Sequence, residues 1–177
     1  MKELFSVLSR YNTETNRAMF AILAELPAAR LTEDVGSYFK SILAILNHVY
    51  GSDCIWLCRM RRGRPALASL QDPLLESEPV WPTADLFSDF AALRQAREKL
   101  DALLETLAEE LSEADLESVI DYRNSRGERH RYVFWQALTH LFNHDTHHRG
   151  QIAEILDQFG VANDYSNLYR TLEEAPE

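Results

Sequence analysis

The sequence predicts an all-α protein: a four-helix bundle with a long crossover loop between its second and third helices. Apolar residues recur every three or four positions over four long segments, which is the period of a helix buried on one face. About twenty residues separate the second segment from the third, too many for a tight turn between neighbouring helices. No shift in composition divides the 177 residues, so we expect a single domain over residues 1–177.

The first predicted helix begins near the N-terminus and ends at Leu26, before a proline. Its predicted buried stripe consists of Leu4, Leu8, Tyr11, Thr15, Ala18, Ile22 and Leu26. The second helix follows the cap candidates Thr32 and Asp34 and runs from Tyr38 through Trp56. Both faces of this helix are apolar in the middle, a pattern typical of a deeply buried helix.

The connection from Gly63 to Pro82 is rich in proline and has no helical period, which indicates an ordered loop. A third helix is predicted to begin after the cap candidate Thr83, and Arg97 is the one break in its apolar stripe. The stripe consists of Leu86, Phe90, Leu93, Arg97, Leu100, Leu104, Leu107 and Leu111. The segments 119–123 and 130–133 predict a short β-hairpin, followed by a fourth helix from about residue 131 to Phe159.

Four of the six histidines lie in the fourth predicted helix: His140, His144, His147 and His148. At about 100° per residue, His144 and His148 point about 40° apart and can face one ion. His148 lies seven residues after Leu141, so it occupies a core position. Unpartnered buried imidazoles would cost roughly 1–3 kcal/mol each. Metal coordination removes that cost, as would hydrogen bonds to buried carboxylates, and the i, i+4 pair favours the metal.

A site of this kind needs a third ligand. Outside the cluster, His48 lies in the buried second helix, whereas His130 lies between two arginines that would repel an ion. His48 is therefore the better candidate. His140 is also four residues from His144, so the spacing permits a 140/144 pair or three ligands from one helix.

Three neighbours of these histidines have more than one interpretation. Asp145 makes the segment resemble the H-E-x-x-H pattern, with a shorter carboxylate that could act as general base, orient an imidazole or face another helix. His147 points about 100° away from His148, toward solvent or a supporting position. Arg149 could bind an anionic substrate, but we favour an interhelical salt bridge.

Composition argues against several classes of protein. A net charge of −10 disfavours a nucleic-acid partner. The short basic cluster Arg59 to Arg64 is interpreted as the solvated end of a helix, with a phosphate or acidic-ligand patch as the alternative. No apolar run reaches the roughly 20 residues of a membrane span, and the N-terminal residues lack a signal-peptide pattern, so we expect no membrane partner and a cytoplasmic location. Cys54 and Cys58 are expected to be small buried hydrophobic residues.

Two segments resemble the DinB/YfiT-like family of metal-dependent proteins. The stronger is His140-Leu-Phe-Asn-His-Asp-Thr-His-His-Arg-Gly-Gln-Ile-Ala-Glu-Ile-Leu, and the other runs from Leu46-Asn-His-Val-Tyr to Trp56. The resemblance implies a four-helix bundle of the crossover type, a homodimer, and nickel or zinc held by His48, His144 and His148. Some relatives are S-transferases or isomerases that use low-molecular-weight thiols.

These observations together predict a metal-dependent enzyme acting on a small molecule, with a thiol-dependent S-transferase as the leading hypothesis. A metal-dependent hydrolase and a non-catalytic metal-binding dimer are the alternatives. A phosphohydrolase that uses Asp145 as a ligand is disfavoured, because Asp145 points about 100° away from His144. No catalytic residue is assigned, and Arg149, Tyr122 and Arg123 are the candidates for contacts with a thiol cosubstrate.

Overall fold

The computed structural model describes residues 1–64, 66–80 and 85–172, and these form a mostly helical protein with one small antiparallel sheet. The all-α class and the hairpin predicted from the sequence are thus confirmed. The elements in chain order are α1 (Lys2–Ala24), α2 (Ala28–Thr32), α3 (Ile42–Gly63), α4 (Phe90–Glu110), α5 (Glu113–Leu116), β1 (Val119–Arg123), β2 (Arg129–Val133) and α6 (Phe134–Gln158). No helix within these residues is both long and apolar enough to cross a membrane.

Helix α1 buries part of the predicted stripe, including Tyr11 and Thr15, and its buried face extends to residues outside that stripe. Leu4 is 55% exposed, whereas Phe5, Asn12 and Asn16 are buried. Both asparagine side chains donate hydrogen bonds to the carboxylate of Asp101 on α4. Apolar spacing does not indicate these two residues, because they are polar and are satisfied only by a partner distant in sequence.

Helix α3 begins later than predicted. The side chain of Ser41 caps it by accepting a hydrogen bond from the backbone N–H of Ala44. The residues before Ser41 form the short α2 and a turn, so the predicted start at Thr32 or Asp34 is wrong and Tyr38 is 89% exposed. This turn carries Phe39 toward the histidines.

The connection between α3 and α4 contains two 3-10 turns, Ser69–Gln71 and Pro73–Leu75. The carboxylate of Glu110 at the end of α4 accepts hydrogen bonds from the backbone N–H groups of Ala68 and Ser69, which ties the connection to that helix. Helix α4 begins at Phe90 and is capped by Asp89. The predicted cap Thr83 lies outside the described residues, and Leu86 precedes the helix and is 40% exposed.

A polar layer separates two apolar clusters along the four long helices. One cluster includes Phe5, Cys54, Leu100 and Phe142, and the other includes Met19, Leu46, Leu93 and Ile152. The buried polar residues of the layer between them are Asn12, Asn16, His48, Asp53, Arg97, Asp101, Asp145, His148 and Arg149. Each long helix contributes to this layer, and the break at Arg97 in the predicted α4 stripe belongs to it.

The hairpin packs against the end of α3. Strands β1 and β2 pair from Val119 with Val133 to Arg123 with Arg129. The fully buried Ile120 faces Gly63, where a Cβ would lie 2.8 Å from Ile120 Cγ2 and 3.0 Å from Ile120 Cα. A glycine is therefore required at this contact for steric reasons.

We expect Gly63→Ala to lower the free energy of unfolding by about 1–3 kcal/mol, because the contact involves backbone as well as side chain. Gly150→Ala is the matched control, since a Cβ at this helical glycine would meet nothing within 4 Å. The control should raise the stability by up to about 1 kcal/mol, as alanine is the better helix former. Urea denaturation of the metal-free variants measures both, and equal effects would contradict the packing described.

Candidate metal centre

The structure brings together the three histidines predicted as ligands. His48 lies on α3, and His144 and His148 lie one turn apart on α6. The Nε2 atom of His144 is 3.1 Å from Nε2 of His48 and 3.0 Å from Nε2 of His148. One ligand atom from each residue lies within 4.8 Å of the other two, so these side chains could hold one metal ion. Their assignment as ligands remains a prediction.

Hydrogen bonds among the three imidazoles cannot satisfy both of the short Nε2–Nε2 contacts. Nδ1 of His148 lies 2.8 Å from Oε1 of Gln151, an acceptor, so the proton of the neutral imidazole is on Nδ1 and Nε2 presents a lone pair. Nε2 of His144 makes two short contacts to other Nε2 atoms, and one proton there can serve only one of them with good geometry. A cation that accepts all three lone pairs removes the conflict, so the donor set fits a metal ion.

Burial keeps the three imidazoles uncharged. Together with a contribution from the neighbouring imidazoles, it lowers the pKa of His48 to about 4 and that of His144 to about 3. Burial also lowers the pKa of His148, while its hydrogen bond to Gln151 opposes that shift. The neutral imidazole is the form that coordinates a metal.

Aromatic rings surround the three histidines. The ring of Phe39 stacks on His48 with centroids 4.3 Å apart and meets His148 edge-on at 5.4 Å. The turn before α3 therefore closes one side of the site. On another side the exposed His140 lies 5.8 Å from His144 and 5.0 Å from Trp56, centroid to centroid. His144 itself is half-buried, so this side is nearer to solvent.

The remaining histidines lie outside the group of three. His147 is exposed, and its Nε2 accepts from the side-chain amide of Gln151 at 3.2 Å. His130 lies on β2, where it contacts Asn124 and Tyr122. Neither Gln151 nor Phe39 was predicted from the sequence as part of the site. Gln151 could have been found, because it is three residues after His148 on the same helix face, whereas nothing local marks Phe39.

Asp145 belongs to the polar layer and is fully buried. Its Oδ2 lies 3.7 Å from Nη2 of Arg97 and 4.0 Å from Nη1 of Arg149. Arg149 donates hydrogen bonds to Asn12 and Asn16 of α1. Arg149 thus links two helices through hydrogen bonds to asparagines, whereas the predicted interhelical salt bridge is replaced by an ion pair with Asp145 on its own helix. The side chain is 3% exposed, which removes it as a contact for a substrate.

A second group, Asp53, His144 and Asp145, also offers ligand atoms within 4.8 Å of one another. Two guanidinium groups disfavour a cation there, because Arg97 donates to Asp53 and both arginines lie close to Asp145. Burial raises the pKa of Asp53 well above its usual range, and the charge of Asp145 adds to this. A proton therefore balances the charge of this group better than a metal ion does, and the imidazoles are the better candidate site.

Comparisons with known proteins place this chain in a family. A model of the DinB family matches residues 1–177. Protein DinB of Bacillus subtilis (strain 168) is 28% identical over 171 residues, which cover 92% of this chain and 90% of that protein. No solved structure matches the chain. The family match spans the whole sequence, including all three clustered histidines, and the chain belongs to the DinB family.

Proposed function

We propose that the protein is a metal-dependent enzyme built on a four-helix bundle, in which His48, His144 and His148 hold one divalent cation, nickel or zinc. The observation that carries this proposal is the convergence of three neutral imidazoles whose Nε2 contacts of 3.0 and 3.1 Å are not satisfied by their own protons. Imidazole nitrogens suit both metals.

Three protein ligands would leave a coordination position for a reacting ligand. A closed structural zinc site uses four protein ligands, whereas a catalytic site uses three and leaves a position open. The candidate group within the described residues has three members. This supports a catalytic role over a purely structural one.

Each side chain around the site has a defined part in the proposed reaction. A divalent cation, when bound, lowers the pKa of a thiol or water ligand. Gln151 fixes the ring of His148 by accepting its Nδ1 proton, and Phe39 keeps solvent away from His48 and His148. The approach beside His140 and Trp56 is left for the substrates.

A thiol fits this environment better than a hydrolytic water. The sequence offered Asp145 as a general base, but that carboxylate is fully buried beside Arg97 and Arg149. A thiol has an ordinary pKa of about 8.5 and needs less help to lose its proton than water does. We therefore favour a thiol-dependent S-transferase, in which the thiolate sulfur forms a bond to an electrophilic carbon and a leaving group departs with its electron pair.

We expect His48→Ala, His144→Ala and His148→Ala each to lose the one equivalent of metal that the wild type carries, because two imidazoles hold an ion weakly. His140→Ala and His147→Ala are matched controls on the same helix and should keep it. Elemental analysis of protein purified without nickel resin measures the content. Metal loss in His140→Ala with retention in His148→Ala would show that the ligand assignment is wrong, and a wild type that takes up no metal on reconstitution would overturn the proposal.

The loaded wild type should catalyse transfer of a small thiol to an electrophile, and the His148→Ala variant should not. The expected loss is at least about a hundredfold, the contribution typical of one essential catalytic element. Thiol consumption over a panel of electrophiles measures transfer, and a parallel panel of esters measures hydrolysis. Turnover of the esters without thiol would instead identify the protein as a hydrolase.

Gln151→Leu should weaken metal affinity by about 10–100-fold, because the Nδ1 proton of His148 loses its acceptor and the ring its orientation. Gln151→Glu is the control, since it keeps an acceptor at the same position and should bind metal at least as tightly as the wild type. Competition with a chromogenic chelator gives both affinities. Equal weakening by the two substitutions would show that the contact does not orient the imidazole.

A further inference from the structure

An arginine-lined groove lies beside the candidate metal centre, along the same helix. On α3, Ser52, Trp56 and Arg59 follow His48 at intervals of four, four and three residues, so they continue its face. Ser52, Trp56 and Arg59 line a groove of about 730 Å³ together with the hairpin turn. We call it the arginine groove, because it is lined by Arg59, Arg62, Arg123 and Arg126.

The groove concentrates positive charge in a protein whose net charge is −10. Four arginines line it, and among the described residues Glu78 is the one acidic residue that lines it as well. Two of the arginines share Glu78, whose Oε2 lies 2.5 Å from Nη2 of Arg62 and whose Oε1 lies 3.8 Å from Nε of Arg59. Arg126 pairs with Glu128 at the rim, at 3.2 Å. Cationic charge therefore exceeds anionic charge even when both carboxylates are counted.

Arg59 is held ready for a negatively charged partner. Its guanidinium carbon lies 4.4 Å from the ring centre of Tyr122 and 4.9 Å from that of Trp56. Its side chain is 15% exposed, and its buried Nε makes no hydrogen bond but lies 3.8 Å from Oε1 of Glu78. A partly desolvated guanidinium whose plane is fixed by two aromatic rings suits an oxyanion, which can accept two parallel hydrogen bonds.

Aromatic side chains connect this groove to the histidines. Arg59 stacks on the ring of Trp56. The centroid of that ring lies 5.0 Å from the centroid of His140, which in turn lies 5.8 Å from that of His144. A molecule bound along this wall would contact the arginines at one end and reach the half-buried His144 at the other. His48 and Arg59 are eleven residues apart, about 16 Å along the axis of α3, so a ligand that reaches both must be elongated.

We propose that the arginine groove binds the carboxylate or phosphate of a small acidic substrate whose reactive end lies at the three histidines. The first half of the proposal, an oxyanion site in the groove, depends only on the contacts within the groove. The second half of the proposal rests on the proposed function, because it requires a reacting group at the histidine site. The basic cluster at the end of α3 is thus part of a binding site, which was the alternative interpretation of the sequence.

The first experiment tests the groove in metal-free protein. Inorganic phosphate and succinate are titrated at low ionic strength and followed by two-dimensional NMR, which separates the two kinds of oxyanion. Arg59→Gln should weaken the preferred anion by about tenfold, the value of a charge-assisted hydrogen bond. Arg126→Gln should weaken it too, and this side chain is 78% exposed, so its substitution does not disturb the fold.

Arg94→Gln is the matched control, because Arg94 is also a surface arginine on a helix and pairs with Glu98 at 3.1 Å. It should leave the affinity unchanged. The groove proposal is overturned if neither anion binds, or if Arg59→Gln and Arg94→Gln bind equally well.

The second experiment tests the link to the histidines in nickel-loaded protein. Glutathione and its monoethyl ester differ by one carboxylate, and the thiolate-to-nickel absorption band reports binding of each. Glutathione should bind about tenfold more tightly than the ester in the wild type, and Arg59→Gln should abolish that difference. Equal affinities in the wild type would overturn the link. A band from neither thiol would overturn the proposed function, while the anion titration would still decide on the groove.

Discussion

The buried ion pairs of Arg97 are the interactions on which the candidate site depends. Arg97 on α4 donates hydrogen bonds to Asp53 on α3 and to Asp101 on its own helix. Asn12 on α1 donates to Asp101 and accepts from Arg149 on α6, so one network joins all four long helices. A charge left unpaired inside a protein costs several kcal/mol. Sliding one helix by a turn would therefore break the buried contacts that join it to its neighbours.

This constraint places the three histidines opposite one another. His48 lies five residues before Asp53 on α3, and His144 is adjacent to Asp145 on α6, so fixing the aspartates fixes the imidazoles. The apolar clusters above and below the layer are rich in leucine, and such cores tolerate alternative packings more readily than a network of ion pairs does. We interpret the polar layer as the element that sets the register of α3 against α6.

The sequence predicted what local spacing can encode. The i, i+4 relation of His144 and His148 requires only that the segment be helical. The proximity of His48 to these two residues depends on how α3 packs on α6. Spacing alone left His140 as an alternative ligand, and the resemblance to a family indicated His48, His144 and His148. The predicted stripe of α1 was incomplete because Asn12 and Asn16 are buried by pairing with Asp101, a partner 85 to 89 residues away. Apolar periodicity carries no information about such a pair.

The arginine groove likewise could not be predicted from local spacing in the sequence. Arg59 belongs to a cluster that ends a helix, and viewed alone it is typical of a solvated terminus. In the folded protein Arg59 lines a groove instead, because the hairpin brings Arg123 and Arg126 to the same surface and Tyr122 stacks on the Arg59 guanidinium. This assembly depends on the close approach of Ile120 to Gly63, a contact between β1 and the end of α3.

The two ends of the proposed binding surface would act together on one ligand. The groove attracts an oxyanion into a protein that is otherwise acidic, and electrostatic attraction of this kind raises the local concentration of a charged ligand. Binding energy gained at a distant carboxylate or phosphate can hold the reacting group in place, which raises the rate without any further contact at the reacting atom. A small thiol without a charge would coordinate the metal but gain none of this orientation. The placement of arginines on the helix that carries His48 therefore favours bifunctional substrates, with a soft nucleophile at one end and an oxyanion at the other.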